Sequence, residues 1–141
     1  MIFLTVGNRY GFDRLVRAVD DLVGRGVIAD EVIAQIGEGT YEPKHCRFAR
    51  YFDGDTYDAH VRNAAALIGH AGSGTIATAA ELGKPLLVMP RVGARHEHVN
   101  DHQVATARKF ASLGCVLSAE TAEELEAKVA ALHRFVPDRR V

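Results

Sequence analysis

The densest chemistry in the chain lies in two strings, His70-Ala71-Gly72-Ser73-Gly74-Thr75 and His96-Glu97-His98-Val99-Asn100-Asp101-His102-Gln103. In the first, two glycines let the backbone close on a ligand, and Ser73 and Thr75 add hydroxyl groups. Between an apolar strand and a helix, such a turn offers free amides and the positive end of a helix dipole to a phosphate. A tight strand-to-helix turn whose Ser or Thr merely caps the helix has the same residues, and the local pattern leaves both readings open. Gly7-Asn8, after the first apolar run, is a second small-residue turn. It is either the other wall of a diphosphate cradle or an ordinary left-handed turn.

The second string places Asn100, Asp101, His102 and Gln103 at a helix start, where amides and carboxylates suit sugar hydroxyls. The alternative is a solvated loop with a redundant cap. His98 and His102 stand four apart, but His96-Glu97-x-x-Asn100 ends in Asn where the zinc motif needs His, so no metal site is expected. Gly72-x-Gly74-x-x-Ala77 also fits a dinucleotide fingerprint. It follows the fourth strand rather than the first, and the next strand ends in Pro90-Arg91 instead of an acidic residue. Arg91 could hold a 2′-phosphate there, which keeps an NADP-binding module as an alternative. His70 is either a catalytic group or a structural one bonding the backbone of its turn. With His98 it is a candidate general base, but spacing assigns no catalytic residue. Asp13, Asp20 and Asp21 read as a solvated helix face.

These segments need a scaffold, and the apolar pattern supplies one. Short apolar runs at Ile2–Val6, Glu31–Ile36, Arg47–Tyr51, Ala65–Gly69, Leu86–Met89 and Cys115–Ser118 predict six strands. Phe12, Leu15, Val16, Val19, Leu22 and Val23 repeat with helical spacing, and Gly24 and Gly26 stop that helix. Asp55 is expected to cap a helix running through Asn63. A further helix ends at Leu82 before Gly83, and another starts at Asn100 or Asp101. Thr121-Ala122-Glu123-Glu124 is a capping box for a last helix with Leu125, Val129 and Leu132 inside. The expected fold is α/β: one Rossmann-like domain over residues 1–141, an open six-stranded parallel sheet with helices on both faces. Continuous apolar strands fit burial on both sides. Ligands of such sheets bind at the carboxyl ends of the strands, where both chemistry-rich strings fall.

The 141 residues hold 17 Lys plus Arg and 18 Asp plus Glu, a net charge of −1. That balance speaks against nucleic-acid binding by bulk electrostatics and leaves no polybasic patch for anionic lipid. No transmembrane span or signal peptide is expected. The two cysteines, Cys46 and Cys115, form no disulfide framework and point to a reduced, cytoplasmic compartment.

Taken together, the strings resemble one family. Phe3-Leu4-Thr5-Val6-Gly7 with Phe12-Asp13-Arg14-Leu15-Val16, then His70 to Ile76, Leu82 to Arg91, and Glu97-His98-x-Asn100-Asp101-His102-Gln103 cover most of the chain. In order and spacing they resemble the glycosyltransferase family 28 C-terminal domain, the donor-binding half of GT-B enzymes. Within it, the chain is similar to the small PssE-like subunits of bacterial exopolysaccharide synthesis. It is also similar to the soluble subunit of the eukaryotic two-chain transferase that adds the second GlcNAc to the dolichol-linked oligosaccharide.

The resemblance implies a UDP-sugar donor, with the diphosphate held by Gly7, Asn8, Gly72, Ser73, Gly74 and Thr75. It implies that Gln103, with Asn100, Asp101 and His102 beside it, meets the transferred sugar. Uracil would lie against backbone groups around Tyr51-Phe52. Thr78 stands where many members carry a ribose-binding Glu, with Glu81 one turn away. Because one GT-B domain fills this length, the expected function is the donor-binding subunit of a split inverting hexosyltransferase. It would move a sugar of GlcNAc, glucose or glucuronate type, without an obligatory metal or other cofactor, to a lipid-linked saccharide acceptor. A membrane-associated, PssD-like subunit would bring that acceptor and recruit the chain to the inner face of the membrane. A non-catalytic nucleotide-sugar sensor is the other alternative.

Overall fold

The computed structural model describes residues 1–7, 10–98 and 100–138. Its strands are β1 (Ile2–Thr5), β2 (Val32–Gln35), β3 (Arg47–Ala49), β4 (Ala66–His70), β5 (Leu86–Met89) and β6 (Leu117–Ser118). Its α-helices are α1 (Asp13–Gly24), α2 (Gly54–Asn63), α3 (Ser73–Leu82), α4 (His102–Ser112) and α5 (Ala122–Val129). Among the described residues the strands form one parallel sheet in the order β3-β2-β1-β4-β5-β6. The order turns outward in both directions from the β1–β4 pair, so the crevice of this α/β fold opens there.

Alternation along β1 sorts the core into two layers. Ile2 and Leu4 join Leu15, Val19, Leu125 and Val129 on the face covered by α1 and α5. Phe3 joins Val61, Ile76, Ala79 and Ala107 on the face covered by α2, α3 and α4. All four β1 residues are buried, as expected for a strand covered on both sides. Helices therefore lie on both faces of the sheet, and the predicted architecture holds.

Several boundaries differ from the sequence reading. Asp53, not Asp55, caps α2, its side chain accepting the Thr56 N–H at 2.8 Å. Strand β6 is two residues, because Cys115 and Val116 lie outside the ladder although both are buried. Leu132 is buried in a 3₁₀ turn after α5 rather than within it. Thr121 caps α5 as expected, accepting from Glu124 N at 3.1 Å.

The larger correction concerns the α1 aspartates. Asp20 is 1% exposed and organises the β2–β3 connection, not a solvated face. Its carboxylate accepts the Tyr41 hydroxyl, the Lys44 N–H at 3.0 Å and the His45 N–H at 2.8 Å. Burial works to raise its pKa, but these hydrogen bonds outweigh it, and the group ends below the usual carboxylate value. A depressed folded pKa means the associated stability is present above the unfolded value of about 3.9 and is lost as pH falls through the folded one. Asp20→Ala strands three donors and should cost about 2–3 kcal/mol in urea unfolding at pH 7; a loss below about 0.5 kcal/mol would remove Asp20 from this role. Burial and then the neighbouring Asp20 push the Cys46 thiol up to about 12, which makes it a core residue rather than a nucleophile.

Candidate functional site

At the carboxyl ends of the strands, over the β1–β4 switch, lies a cleft of ≈ 760 Å³. Gly7, Gly72, Ser73, Gly74 and Thr75 line it, together with Phe52, Thr78 and Gln103. Asn8 lies outside the described residues. Asn100, Asp101 and His102 are not among the lining residues and are exposed. Their polar groups serve the loop: Asp101 Oδ1 accepts the Gly93 N–H at 2.8 Å, and Asn100 Oδ1 accepts the His102 N–H at 2.8 Å. Glu81 is likewise absent from the lining.

The turn into α3 explains its glycines. Gly7 takes φ +79°, and a Cβ built there would stand 2.8 Å from His70 Nε2. A Cβ on Gly72 would stand 2.4 Å from His70 Cε1. The imidazole thus occupies the space that side chains at either position would need. Gly72 caps α3 without a side-chain hydrogen bond, and the first turn carries no acidic residue. The Ser or Thr cap that the string also allowed is therefore not what the turn uses. Ile76 N bonds back to Gly72 O, while among the described residues no backbone acceptor meets the amides of Ser73, Gly74 and Thr75. With the α3 dipole behind them, these amides make a positive, open helix end on the cleft.

His70 is held by side chains, not by the backbone of its turn. Gln103 Oε1 accepts the Arg91 N–H at 3.1 Å, which fixes the amide so that Nε2 faces His70 Nδ1 at 3.1 Å. An amide nitrogen only donates, so Nδ1 accepts and the neutral ring carries its proton on Nε2. That nitrogen lies 3.4 Å from Thr75 Oγ1. Burial, then the Arg91 cation and His98, push His70 from 6.5 down to about 4, so it is neutral near pH 7. Between those values the unfolded chain binds a proton that the folded one does not. Stability therefore falls as pH drops from 6.5 towards 4, and His70→Gln should flatten the urea midpoint across that window. An unchanged slope would show that His70 titrates freely.

Arg91 is 2% exposed, and its guanidinium donates to the carbonyls of Val6, Tyr10 and Gly11. It also lies over the Phe12 ring, 4.7 Å from the centroid. Burial lowers its pKa to about 10, which leaves it charged near neutrality. This corrects the idea that Arg91 serves a 2′-phosphate: its donors tie β1's loop to the end of β5. Arg14 adds a second clasp through a two-point bond to Glu97, at 2.8 and 3.0 Å. His98 lines the cleft edge-on to Tyr10, and its Nδ1 is buried without a partner among the described residues. Gln35 at the end of β2 also reaches the cleft. Sequence reading passed over it, although a glutamine closing the run Val32-Ile33-Ala34 is the signal that marks it.

A family model described as the glycosyltransferase family 28 C-terminal domain matches residues 1–137. The chain belongs to that family. No curated protein matches this family 28 domain, but solved structures do. ALG13 superposes with TM-score 0.67 at 21% identity, over 99% of this domain and 89% of that chain. MurG of Acinetobacter baumannii gives 0.61 at 21%, over 95% of this domain and 42% of that chain. The kitacinnamycin glycosyltransferase gives 0.63 at 20%, over 94% of this domain and 34% of that chain. At these identities the likeness is one of fold, and the family 28 domain spans about a third of the first glycosyltransferase chains it matches. Among the described residues no cluster of three or more His, Cys, Asp or Glu is placed to hold a metal ion. No described helix is long and apolar enough to cross a membrane.

Proposed function

We propose that this domain binds a UDP-sugar in the cleft and serves as the donor-binding part of a split inverting hexosyltransferase. The observation that carries the reading is the uncapped start of α3, which turns the amides of Ser73, Gly74 and Thr75 to the cleft between glycines. The diphosphate lies against these amides with Gly7 opposite; Asn8, the other residue expected of the cradle, is outside the described residues. The nucleoside lies towards Phe52 and Thr78, and the hexose, of GlcNAc, glucose or glucuronate type, towards Gln103. Asn100, Asp101 and His102 support that end by shaping the loop.

As the sugar leaves, negative charge grows on UDP. Fixed amide donors and the protonated Nε2 of His70 stabilise that charge without reorganising, and the scheme requires no metal. The acceptor hydroxyl must lose a proton to a base. His70 carries its proton on Nε2 and acts as a donor, which leaves His98, at the cleft wall, or a group of the acceptor-binding partner to serve as the base. That partner is a membrane-associated, PssD-like chain presenting a lipid-linked saccharide at the cytoplasmic face, in exopolysaccharide or glycan synthesis. The match with ALG13 covers 89% of that chain, against 42% and 34% of the other two, so this fold also occurs in a chain of similar size.

A thermal-shift titration with UDP, UDP-sugars and NADPH, in EDTA, tests the reading. A ligand at about 100 times its dissociation constant adds about 2.7 kcal/mol of stability. Stabilisation by UDP species is the expected result; stabilisation by NADPH alone would replace the donor reading with a dinucleotide one.

A further inference from the structure

Strand β2 delivers one polar side chain to the cleft. Gln35 is 5% exposed and lines the cleft with Tyr51, Phe52 and Tyr57. Its Oε1 accepts the Phe52 N–H at 2.8 Å. Only the amide oxygen can meet an N–H, so the orientation of the group follows, with its NH₂ on the opposite side. Among the described residues no acceptor meets Nε2, and this atom is not sealed off as His98 Nδ1 is. The surface left to it is the cleft.

Its neighbours are already engaged. The Tyr51 hydroxyl donates to Glu38 at 2.8 Å, the Tyr57 hydroxyl pairs with Thr5 Oγ1 at 3.2 Å, and the Phe52 N–H is spent on Gln35 itself. The Phe52 backbone donor expected to meet uracil is therefore turned inward. Among these described side chains, the Gln35 NH₂ is thus left uncommitted in an aromatic-lined recess. Aromatic walls take any flat base; a fixed donor discriminates among bases.

We infer that Gln35 reads the base of the bound nucleoside diphosphate, its NH₂ donating to a ring carbonyl at the position of uracil O4. Cytosine places an amino donor at that position, and two donors cannot pair. The inference rests on the donor-site reading above and adds the residue that selects the base.

Isothermal titration of UDP and CDP, at pH 8, into the native chain, Gln35→Glu and Gln35→Met tests it. The native chain should prefer UDP by about tenfold or more. Gln35→Met should weaken UDP while leaving CDP nearly unchanged, collapsing the preference. Gln35→Glu keeps an acceptor for the Phe52 N–H but faces the cleft with an oxygen, and should move the preference towards CDP. A native chain binding both equally would overturn the inference, as would variants that weaken both nucleotides by the same factor, the mark of a ribose contact or a loop support. A native chain binding neither nucleotide would instead overturn the donor-site reading on which the inference rests.

Discussion

Gly74→Leu should leave the chain as stable as the native protein and abolish UDP binding. A Cβ built on Gly74 meets no atom within 4 Å, so the fold has room for the new side chain. The residue sits in the first turn of α3, where exchanging glycine for leucine favours the helix by roughly 0.5–1 kcal/mol. Yet the same open space is the cleft, and the bulk lands where the diphosphate needs the α3 amides. Affinity for UDP should fall more than about a hundredfold, since three charge-assisted hydrogen bonds are blocked at once. Gly72 offers the contrast. Its Cβ would strike the His70 ring, so Gly72→Ala should lose stability and binding together. Urea unfolding with calorimetric titration separates the two, and a stable Gly74→Leu protein that binds UDP normally would remove the cradle from α3.

Arg91→Met should be the most destabilising substitution, at about 3–4 kcal/mol. Methionine keeps much of the volume but leaves the carbonyls of Val6, Tyr10 and Gly11 without their donor. It also gives up the cation over the Phe12 ring. Arg91→Lys should recover little, because one ammonium cannot reproduce the planar fork that reaches separate carbonyls. The loss also reaches the cleft, because the segment tied down begins at Val6 and includes Gly7. UDP affinity should therefore drop even in conditions where the variant stays folded. A cost below about 1 kcal/mol in urea unfolding would show that the β1 loop is held by something else.

What the sequence made legible was what local pattern controls. Apolar runs, helical spacing, the Thr121 cap and the glycine turn at Gly72 reflect forces acting within a few residues, and they appear where expected apart from the shortened β3 and β6 and the 3₁₀ turn that takes Leu132 out of α5. The polar residues that shape the site were less readable, because their partners are far away in the chain. Arg91 looked available for a phosphate, yet its acceptors lie about eighty residues earlier. Asp20 looked solvated until the β2–β3 connection folded over it. The Asn100–Gln103 string read as one ligand-facing group. Between β5 and α4 the chain takes a 3₁₀ turn at Gly93–Arg95 and a left-handed residue at His96, and that path turns only Gln103 of the four inward. Gln35 carried a signal, a glutamine closing an apolar strand, whose meaning depended on the distant Phe52 N–H.

On the proposed reading, the α3 amides hold the diphosphate of a UDP-sugar. Backbone amide resonances of the ¹⁵N-labelled chain, followed as UDP is added, test it most directly. Ser73, Gly74 and Thr75 should shift first and furthest, with Gly7 and Gly72 following. Large shifts confined to residues outside the cleft, or none at saturating UDP, would contradict it.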